Sequence, residues 1–148
     1  VRAKEYLSQL EKLSNQIEQK QAQIKELRDM MGAIGSFDYS VERVQTSAIG
    51  NKVENDAIKL LVLESEIKSD IINYAYEKER IVNEIHSLDD TNHIILLYKR
   101  YVEFKRLEVI AVEMGYTYQY TRELHGRALQ NFSKFLHKPT KQCDIIVS

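Results

Sequence analysis

Apolar residues recur along the first third of the chain in the alternating three- and four-residue spacing of a coiled-coil seam. Leu10, Leu13, Ile17, Ile24, Leu27 and Met31 form it, with Lys20 interrupting. Glu, Gln and Lys fill the opposite face, so the pattern predicts one long amphipathic helix that ends near Gly32 and Gly35. Ser36 to Gly50 has no helical period. A second seam then runs through Val53, Ala57, Leu60, Ile67, Ile71, Tyr74, Ile81, Ile85 and Leu88, with Glu64 and Lys78 as polar exceptions. Asn51 is the expected N-cap of this helix, and Glu54 completes a capping-box-like pair. Two helices of similar length joined by a turn predict an antiparallel hairpin, residues 1–87, that packs against a second copy or another partner. Residues Ser87 to Thr91 mark a boundary, with Asp90 or Thr91 starting a helix that carries Ile94, Ile95, Leu97, Tyr98 and Tyr101. A turn at Glu103 to Lys105, a helix from Arg106 to Met114 and a last helix from Tyr118 to about Leu136 complete an all-α chain. Pro139 closes the second domain, 88–138, and residues 139–148 form a tail.

The segment from Leu107 to Leu124 adds a sharper signal, because its residue types fit a helix-turn-helix. Ala111 is small where two helices must cross. Gly115 supplies the positive φ that ends the first helix and aims the chain into the second. Ile110, Met114, Tyr116 and Leu124 are spaced to close a small apolar core beneath the turn, and Thr117 offers a side-chain oxygen as N-cap of the second helix. In proteins that bind DNA, that second helix enters the major groove.

Charge strengthens this picture. The net formal charge of −1 conceals an uneven distribution: residues 1–87 carry 12 Lys/Arg against 15 Asp/Glu, whereas Thr91 to Gln142 carries nine basic residues against four acidic ones. A basic excess around the turn motif suits phosphate contacts. Cys143 is the single cysteine, so no intrachain disulfide can form, which fits a cytoplasmic protein. No apolar run reaches the roughly 20 residues of a membrane span. The sequence holds no HExxH, no zinc-spaced Cys/His cluster, no Gly-rich phosphate loop and no nucleophile elbow, so neither an enzyme nor a cofactor is expected.

Residues Leu88 to Phe132 resemble region 4 of the sigma-70 family, through "ILLYKRYVE", "LEVIAVEMGYT" and "TRELHGRALQNF". With "VQTS" before "NKVEN", the whole arrangement is similar to a phage-encoded group of sigma-70 region 4-like transcription regulators, the RinA/ArpU-type late-gene activators. Thr121 departs from the usual Val or Ile at its position, and nothing resembles the promoter-melting sigma region 2. The resemblance therefore implies a phage or prophage activator or accessory factor acting on promoter DNA in the bacterial cytoplasm, with RNA polymerase as a further partner.

By the same resemblance, Tyr118, Gln119, Arg122 and Glu123 are the base-contacting positions. Their chemistry suits the task, since Arg reads guanine O6 and N7 and Gln reads adenine through its amide. Lys99, Arg100, Lys105, Arg106, Thr117, Tyr120 and Arg127 are the expected contacts to the DNA backbone, with Lys134 and His125 near the same face. A homo-oligomer, in the simplest case a dimer, would pair two readers and fix a half-site spacing. Two other functions fit the same elements. A small-terminase-like DNA-packaging protein also joins DNA-binding helices to an oligomerising coiled coil, although usually in the opposite order. A coiled-coil adaptor that binds no DNA would keep the C-terminal helices only as scaffold.

Overall fold

The computed structural model describes residues 2–35 and 46–137, all of them helix or short connection. Expectations for residues 36–45 and for the tail, Pro139 included, lie outside the described residues. The elements are α1 (Ala3–Leu7), α2 (Gln9–Gly35), α3 (Thr46–His86), α4 (Thr91–Leu97), a π-helical turn (Tyr98–Val102), α5 (Leu107–Met114) and α6 (Tyr118–Leu136). The protein is all-α. Among the described residues no helix is long and apolar enough to cross a membrane.

Two boundaries of the long N-terminal helices differ from the sequence expectation, and the helix expected to carry Tyr98 and Tyr101 ends at Leu97, where the π-helical turn begins. The first helix is broken at Ser8, whose amide and hydroxyl both donate to the Lys4 carbonyl and close α1 before α2 begins. The second long helix starts at Thr46 rather than Asn51, so Gly50 and Asn51 lie inside it and Asn51 is not its cap. One glycine costs a helix interior only about 1 kcal/mol, too little by itself to end a long helix.

The chain divides into two compact units, Lys12–Tyr76 and a second made of Val1–Glu11 with Glu77–Ser148. In the first, α2 and α3 run antiparallel: Lys20 pairs with Asp70 at 2.6 Å and Glu66 at 3.6 Å, while Arg28, further along α2, pairs with Glu64, earlier on α3, at 2.6 Å. Two of the polar residues that interrupt the apolar seams, Lys20 and Glu64, are thus cross-helix ion-pair partners. Side chains of this kind fix register at modest energetic gain. Ile24 and Ile67 are the buried apolar residues between them, while Ile71, assigned to the seam by spacing, is 45% exposed.

The second unit is built around Leu7, Leu10, Ile81, Ile85, Leu96, Leu97, Ile110 and Phe132, all fully buried. It includes residues that the sequence pattern assigns to the hairpin. Tyr6 on α1 lies 6.0 Å from the ring of Phe132 on α6 and donates a 2.6 Å hydrogen bond to Glu84 on α3. Burial first, then the Glu84 carboxylate, pushes the Tyr6 phenol up to about 12. Of the two starts the sequence offers, Asp90 is the one that caps α4, accepting from the amides of Asn92 and His93. The π turn then widens the chain by one residue, with the Glu103 amide donating to the Tyr98 carbonyl. Phe104 follows with φ of 59°, a left-handed conformation that a bulky residue adopts only under constraint from its surroundings.

Candidate nucleic-acid interface

The turn between α5 and α6 has the local geometry that its residue types dictate. Gly115 sits at φ 73°, ψ 28°, and caps α5 through its amide, which donates to the Val112 carbonyl. Thr117 is extended and its hydroxyl accepts from the Tyr120 amide at 3.2 Å, satisfying an otherwise orphaned donor at the start of α6. Ala111 is buried where the two helices meet, with Ile110 and Leu124 beside it. Tyr116 departs from the expected apolar core. It is 36% exposed and instead packs edge-on against Tyr120, with ring centres 4.9 Å apart.

Helix α6 is sharply two-sided. Thr121, Leu124, Ala128 and Phe132 are buried, and the Thr121 hydroxyl donates to the Thr117 carbonyl, so the polar atom at this position costs nothing unpaired. Tyr118, Gln119, Arg122, Glu123, Gly126 and Arg127 are exposed. The Arg122 guanidinium lies over the Tyr118 ring, 5.8 Å from its centre, which limits the directions the arginine can take. All four positions expected to contact bases therefore fall in one exposed arc of α6; among the expected backbone contacts Thr117, Tyr120 and Arg127 are exposed too, with Tyr120 and Arg127 at the far edge of that arc from Tyr118.

The remaining basic residues are placed differently. Lys99 and Lys105 converge on one carboxylate, Glu113 of α5, at 2.9 and 2.8 Å, and Lys105 also reaches Glu103 at 2.9 Å. Hydrogen bonding to Glu113, and next to Glu103, raises the Lys105 ammonium above its ordinary range, and the same lysines lower Glu113. Arg100 is half-buried: it donates to the Lys105 carbonyl at 3.3 Å and lies over the Tyr101 ring. It closes the connection into α5. Arg106, the N-cap residue of α5, is exposed, as is Lys134.

His125 points inward, not toward the open face. Its Nε2 lies 2.7 Å from the Tyr101 hydroxyl. His93 is likewise engaged, its Nδ1 lying 3.1 Å from Asn131 on α6, which ties α4 to that helix.

Two features of this surface escape sequence reasoning. Glu113 holds two of the expected phosphate-binding lysines, and the only sequence signal is an acid within a basic stretch. Gly126 lies mid-helix on the open face, where an added Cβ would meet nothing within 4 Å, so packing does not require a glycine there. No family model, curated protein or solved structure matches this chain significantly.

Proposed function

We propose that the protein is a phage or prophage DNA-binding transcription regulator that lays the first turns of α6 in the major groove. The observation that carries this reading is the segregation of α6. Tyr118, Gln119, Arg122 and Glu123 stand together on an open face, and Thr121, Leu124 and Ala128 lock the opposite face to the rest of the unit. Arg122 and Gln119 offer bidentate donors and acceptors for guanine and adenine, and Glu123 can accept from cytosine N4. Gly126 removes a side chain where the helix would come closest to the sugar-phosphate backbone. The transcriptional role rests on the sigma region 4 resemblance of the segments around this helix. The long α2–α3 hairpin then serves to join a second copy or to dock RNA polymerase.

The test is selection of duplexes from a random-sequence DNA library by the full chain, followed by anisotropy titration of the enriched duplex at two salt concentrations. Arg122→Ala and Gln119→Ala should each weaken the enriched duplex by about 10-fold or more while leaving random DNA nearly unchanged. Failure to enrich any sequence, or equal loss on both DNAs, would sink the reading.

A further inference from the structure

Helix α3 is apolar on two opposite faces. One carries Leu60, Ile67 and Tyr74, which are buried or half-buried in the hairpin. On the other, Ile58, Leu61, Val62, Ile72 and Tyr76 are 53%, 66%, 51%, 71% and 72% exposed. These five recur at helical spacing across the side of α3 away from Ile67, with Ser65 and Ser69 between them, and Ile58 and Val62 also border the groove that Leu27 and Met30 of α2 line. An amphipathic helix needs one apolar stripe, and no packing among the described residues explains a second.

The order along the outer stripe says what covers it. Its midpoint lies at position 67, between Ser65 and Ser69. Val62 and Ile72 each lie five residues from that point, and Ile58 and Tyr76 each lie nine. Small residues occupy the middle and large ones both ends. A copy of α3 running in the opposite direction about a twofold axis at this point would place Ser65 across from Ser69, Val62 from Ile72 and Ile58 from Tyr76, with Leu61 across from Asn73. The serines let the backbones approach, the large side chains fill the flanks, and antiparallel helices align their macrodipoles favourably. The five side chains leave on the order of 600 Å² of apolar surface per copy, at the upper end for a monomer and near the ~800 Å² per partner of a stable dimer.

We propose that the outer face of α3 is the homodimer interface of this protein, pairing α3 with α3 of a second copy in antiparallel register. Two hairpins joined this way make a four-helix assembly with α3 at its centre. The interface stands whether or not α6 reads DNA, and its test needs no DNA.

Sedimentation equilibrium of the full chain should give twice the 17.3 kDa chain mass at micromolar concentration. Leu61→Glu with Ile72→Glu should give the single-chain mass with unchanged helical circular dichroism, because both side chains are exposed. Spin labels on Asn55→Cys, in a Cys143→Ser background, fix the direction. An antiparallel pair centred at position 67 holds the two labels roughly 35 Å apart along the axis, whereas a parallel pair brings them within about 15 Å. A monomeric parent, a double variant that stays dimeric, or the short label distance would each overturn the proposal. A monomer would also assign the stripe to a different protein.

Discussion

Tyr101 Oη and His125 Nε2 lie 2.7 Å apart with their rings stacked at 5.7 Å, joining the π turn to the middle of α6. Burial pushes the Tyr101 phenol up to about 12, so the hydroxyl keeps its proton, and the imidazole tautomer sets which of the two groups donates. Burial first, then the Arg100 and Lys4 charges, pushes His125 down to about 4 from its ordinary 6.5. The pair is an uncharged lock behind the open face of α6.

A histidine depressed on folding binds its proton more readily in the unfolded chain. Its contribution to stability is therefore complete above pH 6.5 and is lost as the pH falls toward about 4. Thermal melts across this window should show a steeper loss for the parent than for His125→Gln. Parallel slopes would remove His125 as the titrating group.

Glu113 restrains Lys99 and Lys105 on the surface that the proposed function turns toward DNA. Glu113→Gln keeps the shape and releases both ammonium groups. Non-specific DNA binding should tighten, and the slope of log K against log salt should steepen by about one to two. An unchanged slope would exclude the two lysines from the contact.

The two glycines of the turn and α6 should respond in opposite ways. Gly115 sits at φ 73°, so Gly115→Ala should lower stability in urea by about 1–2 kcal/mol through backbone strain alone, its Cβ meeting nothing. Gly126→Ala should raise stability by up to about 1 kcal/mol, because an exposed mid-helix glycine carries only an entropic cost. If α6 approaches DNA as proposed, the same change weakens binding. A firmer fold with full affinity would mean that Gly126 has no contact role.

Leu7 is fully buried, and its helix packs on α6. Leu7→Ala should destabilise by about 2–5 kcal/mol, as large-to-small changes in a core do. Hydrogen exchange should locate the loss in α6, some 120 residues away in sequence. Loss confined to α1 would show that α1 is not part of that core.

The Gly115 turn, the Thr117 and Asp90 caps and the span of α6 were legible in the sequence, because each depends on a residue and its neighbours within a few positions. Helical periodicity likewise marked the all-α class and the inner seams of α2 and α3. The start of α3 was not legible, since a glycine and a good capping residue look like a boundary although neither is costly enough to end a helix by itself. The open face of α6 could be read from its period, but Glu113 holding two lysines and His125 turned onto Tyr101 could not.

Local chemistry, then, fixed where this chain is helical and how its turn is built, because backbone hydrogen bonding and φ preference act over one or two turns. Only the tertiary structure decided that α1 belongs to the core around Phe132, that Lys20 and Glu64 join helices they seemed to interrupt, and which cations stay exposed. Those outcomes depend on side chains from distant segments competing for the same neighbours, and no local pattern records that competition.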